Sequence, residues 1–174
     1  ESARVFFASV SQLASHLAAH KPRDTEIERK YLLHALPDRA HDAPAEEIEQ
    51  GYVPGEHLAE RLRRVRQNGD VHCYRTVKLG EGISRTEIEE EAPAAVFDAM
   101  WPLTEGRRIT KRRYAIADEP FTWEIDEFTD RELVLAEVEL PDASISVAPP
   151  EWLAPYIVRE VTGEPEYLNI NLAG

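Results

Sequence analysis

The sequence predicts an α+β domain, mainly antiparallel β, in which a meander of roughly eight short strands closes into a tunnel barrel with a charged lumen and helices packed outside. Three observations carry that prediction. Strand after strand presents charged residues at two-residue spacing, which places them on one face of a pleated sheet. Turn signals such as Asn68-Gly69 and Gly80-Glu81-Gly82 separate the runs. The 174 residues, 43% hydrophobic and 30% charged, suit one globular domain with a full core.

Composition also excludes some functions. Lys and Arg number 20 against 33 acids, a net charge of −13 that disfavours nucleic acid or an anionic membrane as a general partner. The single Cys73 leaves no internal disulfide and no paired-cysteine zinc site, which points to a reducing cytoplasm. No run of about 18 apolar residues is present, so no membrane-spanning helix is expected.

Along the chain, residues 1–24 read as an N-terminal extension separate from a domain over 25–174. Val10, Leu13 and Leu17 share a helical stripe that Pro22 ends, and the His16/His20 pair on that helix lacks a third metal ligand. Glu26-Ile27-Glu28-Arg29-Lys30 then reads as a strand with Glu26, Glu28 and Lys30 on one side. A loop over 34–47 leads to a strand over 48–53. Next come Leu62 to Arg66, pairing Arg64 with Arg66 on one face, and Val71 to Leu79, grouping Tyr74, Thr76 and Lys78.

Ser84 to Glu91 places Arg85, Glu87 and Glu89 together. Pro93 opens a helix whose apolar stripe is Val96, Phe97, Met100 and Trp101 and whose end is Pro102. Three strands follow. Residues 107–117 carry Lys111 and Arg113, residues 121–128 carry Glu124 and Asp126, and residues 132–140 carry Glu137 and Glu139. The tail holds short helical stretches around 151–156 and after Thr162. Trp101, Trp123 and Trp152 each sit among apolar residues and read as packing groups.

A sheet face crowded with both signs of charge is either a structural ion-pair network or a site. Arginine forks and lysines match phosphate oxygens, and carboxylates suit Mg²⁺ or Mn²⁺ bridging to phosphate, so together they describe a polyphosphate site.

The signature Glu26-Ile27-Glu28-Arg29-Lys30 resembles the Glu-x-Glu-x-Lys motif of the CYTH superfamily, the triphosphate tunnel metalloenzymes. Further blocks follow in the same order, among them Gln50-Gly51-Tyr52, Arg64-Val65-Arg66, Thr76-Val77-Lys78, Lys111-Arg112-Arg113-Tyr114, Glu124-Ile125-Asp126, Glu137-Val138-Glu139 and Glu160-Val161-Thr162. The resemblance is closest to short bacterial members acting on inorganic triphosphate. It implies the closed tunnel, with Lys30, Arg64, Arg66, Lys78, Arg85, Lys111 and Arg113 on the triphosphate. Lys111 and Lys30 would stand nearest the reacting oxygens. Glu26, Glu28, Glu137 and Glu139 would hold Mg²⁺ or Mn²⁺, with Glu87, Glu89 and Asp126 as further ligands or their supports.

The implied reaction is metal-assisted hydrolysis of triphosphate to pyrophosphate and phosphate. A class IV-type adenylate cyclase, an organic (thiamine or nucleoside) triphosphatase and a non-catalytic polyphosphate-binding module share the same cradle and stay open at this point. An apolar element left outside the barrel would support a homodimer.

Overall fold

The computed structural model describes residues 27–55, 58–79, 86–142 and 144–174, with side chains for all of these except 58, 59, 78, 79, 86 and 87. The extension over 1–24, with its expected helix, lies outside the described residues, as does the turn over 80–82.

Nine strands form one antiparallel sheet: β1 (Ile27–Leu33), β2 (Ala45–Val53), β3 (Leu58–Gln67), β4 (Asp70–Leu79), β5 (Thr86–Glu91), β6 (Arg108–Asp118), β7 (Phe121–Phe128), β8 (Val134–Leu140) and β9 (Ile157–Glu160). Short helices punctuate them: α1 (Asp38–His41), α2 (Ala94–Met100) running into a 3-10 turn at Trp101–Thr104, and α3 (Asn169–Leu172). Asn68 and Gly69 both take positive φ, 53° and 94°, so the β3–β4 connection is the mirror-image turn whose twist matches its strands. That turn fixes Gln67 opposite Asp70 and every pair behind it.

The spatial order is β5-β4-β3-β2-β6-β7-β8-β1-β9. Among the described residues no ladder joins β5 to β9, so the sheet is curled and open with nine strands, where a closed barrel of eight was expected. The reason lies at β1. Its second edge is taken by β9, which pairs only at Tyr31, Leu32 and Leu33 and shifts register between Leu32 and Leu33. The other end is blunted by the acid-rich β5, which disfavours further pairing. Curling is nevertheless strong enough that Glu28 of β1 and Glu139 of β8 line the same cavity as Tyr74 of β4 and Glu89 of β5.

Alternation sets what each face buries. On the outside, Tyr31, Leu33, Tyr114, Ile116, Trp123, Ile125, Ala136 and Val138 pack with Ala40 of α1 and Leu153 into the main core. Full burial of one such aliphatic or aromatic side chain contributes roughly 1.5–3 kcal/mol. A second outer cluster, Leu62, Cys73 and Phe97, docks α2 on β3 and β4. The inner face is charged along most of its length. At one end it turns apolar, and Tyr52, Ile109, Phe128 and Leu135 are covered there by Val161 and Ala173 of the C-terminal segment.

The 3-10 turn after α2 is held against β2 by a close approach. Thr104 is fully buried, its hydroxyl donates to Trp101 O (2.8 Å), and Arg108 Nε donates to that hydroxyl (2.8 Å). A Cβ on Gly51 would lie 2.6 Å from Thr104 Oγ1. Gly51→Ala is therefore expected to cost about 1–3 kcal/mol through overpacking, read as a lower urea midpoint. An unchanged midpoint would show that the turn shifts without penalty.

Candidate active site

Asp126 of β7 organises one wall of the cavity. Its carboxylate is fully buried and faces Arg113 directly across the β6–β7 ladder. It accepts from Lys111 Nζ (2.5 Å), Arg113 Nε (2.7 Å) and Arg113 Nη2 (2.7 Å). Burial opposes ionisation of Asp126, but the Lys111 and Arg113 charges and their hydrogen bonds outweigh it and hold the carboxyl well below the usual range. Burial in turn pushes Lys111 below the ordinary lysine value against the pull of Asp126.

Arg113 reaches on to Glu137 Oε2 of β8 (3.2 Å) and pairs with Glu124. Glu137 faces Lys30 of β1 across the β1–β8 ladder, and Lys30 Nζ lies 2.9 Å from Glu137 Oε1 and 3.3 Å from Glu28 Oε1. Burial lowers the Lys30 pKa, yet Glu137 and Glu28 outweigh it and leave it raised. Lys30 Nζ also approaches Tyr167 O (3.4 Å) in the C-terminal segment.

The opposite wall comes from β3, β4 and β5. Glu89 accepts from Arg61 (2.9 Å), from Arg63 (3.1 Å) and from the fully buried Thr76 hydroxyl (2.9 Å). Arg63 also stacks over the Tyr74 ring at 5.2 Å. Burial raises the Glu89 pKa but Arg63, Thr76 and Arg61 more than reverse it, while burial lowers that of Arg63 despite Glu89. Between the walls lies a cavity of about 970 Å³ whose lining includes Gln50, Arg61, Arg63, Lys111, Arg113 and Glu137.

The structure thus brings together Lys30, Lys111, Arg113, Glu28, Glu89, Asp126, Glu137 and Glu139 of the expected residues. Arg64 and Arg66 are not among them. Both point outward, where Arg64 lies over Phe97 at 4.3 Å and pairs with Asp98 (2.5 Å), and both reach Glu49 at 3.3 and 3.0 Å. The inward pair is Arg61 and Arg63, which share their face with Thr76 and Tyr74 through the hairpin register. Glu26 and Arg85 lie outside the described residues, as do the side chains of Lys78 and Glu87.

For a divalent ion the donor set fits in kind. Glu28 and Glu139 stand directly opposite each other, and Glu137 offers Oε1, a buried oxygen without a well-aligned hydrogen bond. All are oxygen ligands of the sort hard cations take. Among the described residues no three His, Cys, Asp or Glu side chains converge on one point. Asp126, expected as a ligand or support, is spent on Lys111 and Arg113 and acts as their anchor.

The curled antiparallel sheet lines its concave side with paired cations and carboxylates. No family model matches the chain. The inorganic triphosphatase of Acetivibrio thermocellus is 39% identical over 153 residues, covering 84% of this chain and 92% of the relative. The inorganic triphosphatase of Nitrosomonas europaea is 37% identical over 158 residues, 86% of this chain and 97% of that protein. The crystal structure of the inorganic triphosphatase NE1496 superposes with a TM-score of 0.62 at 32% identity, over 86% of this chain and 94% of that one. The chain belongs to the CYTH superfamily, in the branch that holds these relatives.

Replacing Asp126 by Asn would leave Lys111 and Arg113 without their shared counter-charge. Because the folded pKa is depressed, the stabilisation is present above the unfolded carboxylate value of about 3.9 and fades as pH falls below it. Asp126→Asn is expected to lose about 3 kcal/mol at neutral pH, and the gap from wild type should narrow toward pH ~2. Urea unfolding at several pH values reads both. A gap independent of pH would mean that Asp126 contributes shape and not charge.

Proposed function

We propose that this chain hydrolyses inorganic triphosphate to pyrophosphate and orthophosphate. The observation that carries the reading is the convergence of Arg61, Arg63, Lys111 and Arg113 on one polar cavity that the carboxylates of β1 and β8 also line, with Lys30 paired to two of those carboxylates, Glu28 and Glu137. Charge-assisted donors from two walls suit an extended anion with several phosphoryl groups. The buried apolar cluster of Tyr52, Ile109, Phe128, Leu135, Val161 and Ala173 fills one end of the concave face, which favours a short inorganic anion over one with an organic tail.

The reaction is attack of water on a terminal phosphorus with departure of pyrophosphate, and positioning and charge neutralisation supply most of the catalysis. Arg61 and Arg63 grip from one wall. Lys111 and Arg113, aligned by Asp126, meet the anion from the other, and Lys30 completes the set beside Glu28 and Glu137. Glu28, Glu137 and Glu139, with Glu26, would hold Mg²⁺ or Mn²⁺. When bound, such an ion neutralises charge between phosphates and makes bound water more acidic. No helix among the described residues is long and apolar enough to cross a membrane.

Phosphate release from triphosphate, ATP, thiamine triphosphate and pyrophosphate, each with Mg²⁺, Mn²⁺ or chelator, tests the reading. Turnover of triphosphate that chelator abolishes is expected. No turnover of any of the four, with triphosphate still bound tightly, would sink the enzyme and leave a binding module.

Arg61→Ala and Arg63→Ala are each expected to lower kcat/KM by about 10- to 100-fold, the worth of a charged hydrogen bond. Arg66→Gln, on the outer face, is expected to leave it unchanged. The reverse order of sensitivities would mean that β3 presents its other face to the ligand.

A further inference from the structure

We infer that Tyr74 is a positioning residue for substrate binding, its ring holding the plane of the Arg63 guanidinium so that one nitrogen is presented to triphosphate; the inference rests on the triphosphatase reading. Tyr74 of β4 stands directly opposite Arg63 of β3 in their ladder, and both line the cavity. The guanidinium carbon of Arg63 lies over the Tyr74 ring, 5.2 Å from its centroid. That is within the range of cation–π attraction. The same ring stacks with His72 at 6.4 Å, and His72 Nδ1 lies 3.0 Å from Glu91 Oε1 of β5. The ring is thus itself held from the edge of the sheet.

The three nitrogens of Arg63 stand in different states. Nη2 donates to both oxygens of Glu89, at 3.1 and 3.2 Å. Nε is buried and makes no hydrogen bond. Nη1 makes none either among the described residues, yet it is not sealed from solvent, so it is the nitrogen left for a ligand. Arg113 on the other wall is held differently, because its Nε and Nη2 both donate to Asp126 and the fork fixes its plane. Arg63 lacks such a fork. Both of its bonds to Glu89 leave from one nitrogen, about which the group can swivel, and the Tyr74 ring removes that freedom. A guanidinium already held in its plane loses less rotamer freedom when an anion arrives.

Packing alone does not account for Tyr74. It belongs to none of the three apolar clusters among the described residues. Its hydroxyl makes no hydrogen bond there either, so its contacts are those of the ring.

The test measures Kd for triphosphate, titrated with chelator present, and steady-state turnover with metal, for the full chain and its variants. Tyr74→Leu is expected to raise Kd and KM by about 5- to 10-fold while kcat stays within about threefold, because a weaker hold on ground state and transition state alike leaves kcat alone. Tyr74→Phe keeps the ring and is expected to rescue most of that loss. In an Arg63→Ala background, Tyr74→Leu should raise Kd by less than about twofold further, since a residue that acts through Arg63 has nothing left to position.

A Kd for Tyr74→Leu within about twofold of wild type overturns the role. So does a Tyr74→Phe as weak as Tyr74→Leu, which would make the hydroxyl a substrate contact. So does a Tyr74→Leu loss as large without Arg63 as with it, which would mean that the ring supports the wall and not the arginine. Should Tyr74→Leu melt early, Tyr74→Val, a stronger strand former, is judged by the same limits. A wild type that hydrolyses no triphosphate would sink the triphosphatase reading itself, whereas an active wild type with an insensitive Kd in Tyr74→Leu removes only Tyr74.

Discussion

A carboxylate with no exposure, Asp126, is the constraint on which the rest of this molecule depends. Burying an ion costs several kcal/mol unless its partners are close and well aligned. Here Lys111 and Arg113 meet that condition from the neighbouring strand, at 2.5 and 2.7 Å. Arg113 extends the network to Glu137 and Glu124, and Glu137 hands it on to Lys30. Four adjacent strands are so locked by charge on their concave side. That side cannot also be the main hydrophobic core, so the larger apolar cluster forms on the convex side around Trp123 and Ile125, under α1 and the segment near Leu153.

The alternation that produces this inversion was legible in the sequence, because Glu28/Lys30, Lys111/Arg113, Glu124/Asp126 and Glu137/Glu139 each recur at a spacing of two. Which of two arginine pairs faced inward was misread. Arg61-Leu62-Arg63-Arg64-Val65-Arg66 contains two pairs at that spacing on opposite faces, and beginning the strand at Leu62 hid the first. The needed signal was already present in Asn68-Gly69. A two-residue turn there sets Gln67 opposite Asp70, which puts Thr76 opposite Arg61 and Tyr74 opposite Arg63. Once Thr76 is placed inside, Arg64 has to be outside. Counting back from a turn fixes a face more securely than the charge of the residues on it.

The ends of the sheet were harder to read. β9 spans four residues, one of them partly buried and three exposed, so no alternation marks it and only its pairing with Tyr31 to Leu33 makes it a strand.

Net charge points away from an anionic ligand, yet the cavity gathers Arg61, Arg63, Lys111 and Arg113 among its carboxylates. The two facts belong to different length scales. Beyond a Debye length of about 8 Å the −13 surface is screened at physiological salt, and within the cavity the partners at 3 Å decide. The walls differ in what an arriving phosphate must displace. Glu89, part exposed on the edge strand β5, is held by Arg61, Arg63 and the Thr76 hydroxyl. Asp126 is buried, held by three donors and backed by neighbouring strands on both sides, so exchanging it would strand a charge in the interior. In the proposed reaction Arg61 and Arg63 would therefore be the cations that change partner. Lys111 and Arg113 would stay anchored and meet the ligand with the N–H groups that Asp126 leaves over, which would make their wall the fixed reference against which a phosphorus is positioned.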